Sequence, residues 1–142
     1  MEAKKDVDTD MTEAMAAWAK YAKPGEHHQH LKALEGTWDA VVKMWMAPNA
    51  PPSESKGTSE NKLILGGRYL YQDYKGEFMG NPFMGIGLTG YDNFKEKYTG
   101  VWVDSESTVL VSTLGTCDGT GRVITSFGEF DDPLTGKTKK VK

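Results

Sequence analysis

From residue 36 onward the chain consists of short runs of β-branched and aromatic residues separated by turn-forming residues, and this pattern restricts the folds open to it. The separators include Gly66-Gly67, Asp118-Gly119 and Asp132-Pro133. Connections this short make neighbouring strands antiparallel. The sequence therefore predicts an all-β, up-and-down meander. Its predicted strands cover residues 37–47, 56–65, 68–76, 83–91, 97–104, 107–116 and 122–131, with an eighth starting at 137.

The segment before residue 36 has a helical pattern instead. Asp10, with Glu13 three residues later, is typical of a helix N-cap with a capping box. Apolar residues at positions 11, 15, 18 and 22 then share one helix face. Pro24 ends this helix and opens a second, short one over about 25–34. We therefore expect a flexible N-terminus over 1–10 and one domain over 11–142, divided into a helical leader (11–35) and the meander (36–142).

Composition excludes several classes of protein. The 142 residues suffice for one compact domain, and a net charge of −3 argues against a nucleic-acid partner. No apolar stretch is long enough to span a membrane, and the polar first ten residues do not resemble a secretion signal. We therefore expect a cytoplasmic protein, or the mature form of an exported one. Cys117 is the single cysteine, so no disulfide within the chain is available.

Alternation along the strands predicts which side chains face inward. In the third strand Asp73 and Lys75 share one face, and charged groups favour water, so the opposite face should point inward. In the fourth strand Gly85 and Gly87 leave room for bulky neighbours or for a cavity. The predicted inward residues of the first, third and fifth strands are Trp38, Ala40, Val42, Met44, Met46, Leu70, Gln72, Tyr74, Tyr98, Trp102 and Asp104.

Several stretches resemble a known family. A short helix running into Gly36-Thr37-Trp38 resembles the entry motif of calycins, the group that includes lipocalins and fatty-acid-binding proteins. The longer stretches KGTSENKLILGGRYL (56–70), QDYKGEF (72–78), GNPFMGIGLTGYDN (80–93), KYTGVWVDS (97–105) and GEFDDPLTGK (128–137) are similar to the bacterial DUF1579 family of unknown function. With the leader, the resemblance covers about residues 17–142.

The resemblance implies a calycin-like β-barrel with an N-terminal helix plug and no catalytic residue to carry over. Family members look longer at the C-terminus by two or three strands. The barrel is therefore expected to be incomplete after Lys142, which leaves unpaired strand edges. Two explanations stay open: the chain is a truncated copy, or the seam closes by homodimerisation.

Three groups of polar residues have alternative roles as sites or as structural groups. The histidines at positions 27, 28 and 30 are expected to face solvent, so no metal and no cofactor is predicted. Asp104 is the strand carboxylate most suited to acid–base chemistry, although it could instead cap the following turn. Arg68 or Arg122 could stack on the Trp38 indole.

The favoured function is non-catalytic binding of a small hydrophobic or amphipathic molecule inside the barrel. The expected lining combines apolar and aromatic side chains with a few polar anchors. It consists of Trp38, Met44, Leu70, Gln72, Tyr74, Tyr91 and Trp102. The alternative is an interaction module with a filled interior that dimerises through an open strand edge. An enzyme that uses Asp104 is the third and weakest hypothesis.

Overall fold

The computed structural model describes the backbone of residues 2–142 and the side chains from residue 10 onward. Two helices precede eight strands. The elements are α1 (Glu2–Ala22), α2 (Glu26–Lys32), β1 (Gly36–Met44), β2 (Ser53–Ile64), β3 (Tyr69–Phe78), β4 (Asn81–Asp92), β5 (Lys97–Asp104), β6 (Val111–Cys117), β7 (Ile124–Asp132) and β8 (Lys137–Val141).

The eight strands form one antiparallel sheet in which each strand pairs with its neighbours in sequence, from β1 to β8. This confirms the predicted meander. The β2–β3 connection shows why the turn residues matter, because Gly66 and Gly67 both adopt positive φ values (69° and 82°) that favour glycine. Within the described residues β1 and β8 are not paired with each other, so the sheet is not closed.

The helical leader differs from its prediction at both helices. Helix α1 begins at Glu2, well before the capping signal at Asp10, and residues 2–9 contain no proline or glycine to stop it. The side chains of residues 1–9 lie outside the description, and the flexibility predicted for residues 1–10 stays a prediction. Helix α2 is shorter than expected and covers Glu26–Lys32.

Register places the predicted inward residues on one face of the sheet, which we call the α2 face because α2 packs on it. Trp38 is opposite Ser59, which is opposite Tyr74, and Gln72 is opposite Gly87, which is opposite Trp102. Met46 is an exception, since β1 ends at Met44 and the Met46 side chain is 74% exposed.

The core lies at one end of the α2 face. Leu31 of α2 is completely buried and packs with Leu70 of β3 and Tyr98 of β5. The partly buried side chains around them are Leu63, Tyr91, Cys117 and Ile124. We call this region the covered end. The rest of the face, from Trp38 through Tyr74 to Trp102, is the open end, and α2 does not extend over it.

Helix α1 is attached through its C-terminus. Arg68 donates from Nε and Nη2 to the carbonyl oxygen of Ala22 (3.2 and 2.9 Å), and Asn93 donates to the carbonyls of Tyr21 and Lys23 (2.9 and 2.8 Å). These donors satisfy carbonyl groups that a helix end leaves without partners. Of the two arginines proposed to stack on Trp38, Arg68 is therefore engaged with the end of α1 instead.

Candidate functional site

The floor of the open end is made of two aromatic rings that lie against glycines. A Cβ atom on Gly85 would be 2.2 Å from Cζ2 of Trp102, and one on Gly57 would be 2.3 Å from the Tyr74 hydroxyl. Only glycine allows such a close approach of ring and backbone. The two rings meet edge to face with centroids 6.5 Å apart. The room that the sequence predicts beside Gly85 is filled by the Trp102 ring.

Polar groups of the open end form a short chain of hydrogen bonds. Gln72 Nε2 donates to Ser59 Oγ (3.0 Å), and Ser59 donates to Asn61 Oδ1 (2.7 Å). Asn61 Nδ2 in turn donates to the Leu34 carbonyl (2.9 Å), which also accepts the indole N–H of Trp38 (2.9 Å). This chain fixes Gln72 and Trp38 relative to the end of the helical leader.

The Tyr74 hydroxyl is a different case. It is buried and has no hydrogen-bond partner among the described residues. A buried hydroxyl without a partner costs about 1–3 kcal/mol. The Tyr74 ring nevertheless stays in place, because it packs over glycine and against Phe83, whose ring centroid is 5.9 Å away.

The sequence leaves two roles open for Asp104, acid–base chemistry and capping of the following turn, and its contacts are those of a turn cap. Its Oδ2 accepts the indole N–H of Trp102 (2.9 Å), and its Oδ1 accepts the backbone N–H of Glu106 (2.9 Å). The carboxylate thus orients the floor ring and caps the turn after β5.

The seven predicted lining residues divide between the two ends. Trp38, Gln72, Tyr74 and Trp102 are neighbours at the open end. Leu70 and Tyr91 belong to the covered end. Met44 is paired with Ser53 six residues along β1 from Trp38, which corresponds to roughly 20 Å of strand.

The covered end holds a histidine–tyrosine cluster that the sequence interpretation missed. His28 is only 6% exposed, so the prediction that the histidines face solvent is wrong for this residue. Its Nδ1 accepts the backbone N–H of Gly25 (2.9 Å), and its Nε2 lies 3.0 Å from the Tyr91 carbonyl. The pairing of His28 with Leu31 at i, i+3 was a signal that could have revealed this buried helix face.

The two other histidines share one hydroxyl. His27 Nδ1 and His30 Nδ1 lie 3.2 and 3.0 Å from the Tyr98 hydroxyl oxygen, and the His27 ring stacks on Tyr91 with centroids 4.1 Å apart. Burial, with a smaller contribution from Cys117, raises the pKa of Tyr98 to about 12. Tyr98 therefore stays protonated over the whole neutral range and has one proton to donate.

Two pockets lie outside the open end. One, of about 680 Å³, lies between the C-terminal half of α1 and the sheet, and its walls include Trp18, Tyr69 and Tyr91. The other, of about 720 Å³, lies on the opposite face of the sheet between Leu88, Leu114 and Phe127. Of the seven predicted lining residues, only Tyr91 borders either pocket.

The described residues contain no group of three or more histidine, cysteine or acidic side chains arranged to hold a metal ion. None of the described helices has the length and apolar character needed to cross a bilayer.

Comparison with known proteins gives one result. Neither a curated protein nor a solved structure matches this chain. A family model described as "Protein of unknown function (DUF1579)" matches residues 23–142, which is well over half of the sequence. The chain therefore belongs to the DUF1579 family.

Proposed function

We propose that the open end of the α2 face binds one small hydrophobic or amphipathic molecule. The observation that carries the proposal is the exposure of large apolar side chains on this face. Trp38 is 47% exposed, Val42 40% and Met44 38%. Contiguous exposed apolar surface on a folded protein commonly marks a binding surface.

The floor favours a ligand with a flat or extended apolar part. Trp102 and Tyr74 lie against glycines on their sheet side, so any ligand meets them from the other side. Gln72 donates one amide N–H to Ser59, and its second N–H and its carbonyl oxygen can serve a polar atom of the ligand. A polar ligand atom that gained access to the Tyr74 hydroxyl would remove the cost of its missing partner.

The first test is native mass spectrometry of the protein purified from expressing cells, at several concentrations. A monomer that carries an additional small mass supports the proposal and gives the mass of the ligand. An unliganded protein at every concentration speaks against a tightly held natural ligand, and the second test then examines the surface itself.

The second test uses the fluorescent probe 1-anilinonaphthalene-8-sulfonate. Trp38→Ala should weaken probe binding roughly tenfold, because it removes about 60 Å² of apolar contact at about 25 cal/mol per Å². Trp45→Ala is the matched control, since Trp45 follows β1 and is 57% exposed. Equal effects of the two substitutions would overturn the assignment of the probe site to the α2 face.

Dimerisation through a strand edge is the second candidate, and the unpaired edges of β1 and β8 favour it. The exposed Trp38 and Val42 side chains would then be covered by the partner's strands. The same mass spectra distinguish the candidates, because this one requires an unliganded dimer whose share grows with concentration.

A further inference from the structure

Two hydrogen bonds that hold α2 in place depend on the protonation state of His28. His28 Nδ1 accepts a hydrogen bond from the backbone N–H of Gly25 (2.9 Å), so this nitrogen must be unprotonated. Nε2 therefore carries the proton and donates it to the Tyr91 carbonyl (3.0 Å). The docked helix accepts only the neutral, Nε2-protonated form of His28.

Protonation of His28 would place two N–H groups against each other at the start of α2. The hydrogen bond from Gly25 would be lost, and a cation would be created on a side chain that is 6% exposed. Burial lowers the pKa of His28 below 6.5, and charge repulsion from His27 and Arg68 lowers this pKa further. The bond to the Tyr91 carbonyl opposes this shift but does not reverse it.

The surroundings of His28 offer little compensation for a positive charge. Asp92 and His28 both line the pocket beside α1, but no hydrogen bond joins these two described side chains, and Asp92 Oδ1 accepts the backbone N–H groups of Phe94 and Lys95 (2.8 and 3.0 Å). The charged and titratable groups that face or surround His28 are His27 on α2, Arg68 before β3, Tyr69 on β3, and Tyr91 and Asp92 on β4.

The second attachment of α2 is compatible with histidine protonation at both of its histidines. The Tyr98 hydroxyl can accept N–H donors from His27 and His30, because its oxygen has two lone pairs and its own proton can go to the His27 carbonyl (3.3 Å). The groups around this second attachment are Glu26 on α2, Tyr91 on β4, and Cys117 on β6. His28 is therefore the residue whose protonation cannot be accommodated.

We propose that α2 is a proton-sensitive plug, which leaves the covered end of the α2 face when His28 takes up a proton at Nδ1. Release exposes Leu70 and Tyr98, which Leu31 covers in the docked state. The plug thus joins the covered end to the open end in mildly acidic conditions and separates them at neutral pH.

The test is amide hydrogen exchange of the full chain between pH 7.5 and 5.5, with each rate corrected for the intrinsic pH dependence of exchange. The opening constant of α2, read at Gln29 and Ala33, should rise roughly tenfold. A tenfold ratio between the opening constants at pH 5.5 and pH 7.5 is expected when the histidine has a pKa of about 6.5 in the undocked state and binds no proton in the docked state. Amides of β3 should keep their protection over the same range.

Two variants separate this mechanism from a general loss of stability. His28→Asn keeps an acceptor at the position of Nδ1 but cannot titrate, so its α2 should open more at pH 7.5 and show no further rise towards pH 5.5. His30→Gln removes one of the two imidazole contacts of the Tyr98 hydroxyl but retains His28, and the pH dependence of this variant should survive. A pH-independent opening constant in the native chain, or an unchanged rise in His28→Asn, would overturn the proposal.

Discussion

The two ends of the α2 face are built from the same alternating strands, yet they reach different degrees of burial. At the covered end a single apolar side chain from α2, Leu31, is completely buried, and Tyr98 is 1% exposed. At the open end Trp38 and Val42 remain close to half exposed. Tyr74 is buried at the open end as well, but the cluster of buried apolar side chains forms only where α2 covers the described strands.

The ends also differ in how they hold aromatic rings. At the open end glycines accept the rings of Tyr74 and Trp102, and one hydrogen bond to Asp104 orients the Trp102 ring. At the covered end the rings of Tyr91 and Tyr98 are held by histidines through stacking and hydrogen bonds. The open end is thus sensitive to added volume, and the covered end to lost contacts and to protons.

The largest expected effect concerns the covered end. Leu31→Ala should lower the free energy of unfolding by about 3 kcal/mol, because it leaves a cavity where the side chain is fully buried. Leu34→Ala is the control: Leu34 is 44% exposed and should cost less than about 0.5 kcal/mol. Urea denaturation measures the loss in both variants, and equal losses would show that Leu31 contributes no more to stability than an exposed leucine.

At the open end we expect an effect from added volume. Gly85→Ala should cost about 2 kcal/mol, because its Cβ would be 2.2 Å from the Trp102 ring and the whole ring must move. Gly119→Ala is the matched control, since nothing lies within 4 Å of its Cβ position. If both variants unfold at the same urea concentration, Trp102 does not lie over Gly85.

The two ends also differ in how much of their structure could be predicted from the sequence. The strands could be predicted from alternation and turn residues, because both signals depend on local sequence. The predicted inward positions of Leu70 and Tyr74 are confirmed, since both side chains are buried. The burial of His28 depends on Tyr91, which lies 63 residues further along the chain. Sequence spacing on α2 alone could not reveal that partner, although His28 and Leu31 do share a helix face.

A smaller effect is expected from the Tyr98 hydroxyl. Tyr98→Phe should cost about 1 kcal/mol, because His27 and His30 lose the oxygen they share.

The native protein should also lose stability as the pH rises from 10 towards 12, since the folded state keeps the Tyr98 proton that the unfolded chain releases near pH 10. Thermal unfolding across this range should show a weaker dependence in the variant, and an identical dependence would contradict the assignment.

The smallest effect concerns Asp104. Asp104→Asn should cost about 0.5 kcal/mol, because the amide keeps one acceptor oxygen and gives up one of two hydrogen bonds. Asp39→Asn, on an exposed position of β1, serves as the reference and should have no measurable effect. A loss of several kcal/mol in Asp104→Asn would show that the open end depends on this carboxylate far more than its two bonds explain.

The nearest-neighbour order of the sheet has a consequence for how the chain folds. Each strand pairs only with the strands before and after it, so every hairpin can close over a short loop. The bonds of α2 to Tyr91 and Tyr98 instead join residues 63 to 71 positions apart. We therefore expect hairpins to form early and α2 to dock late. Folding kinetics should then give Leu31→Ala a φ-value near zero and place its whole effect on the unfolding rate.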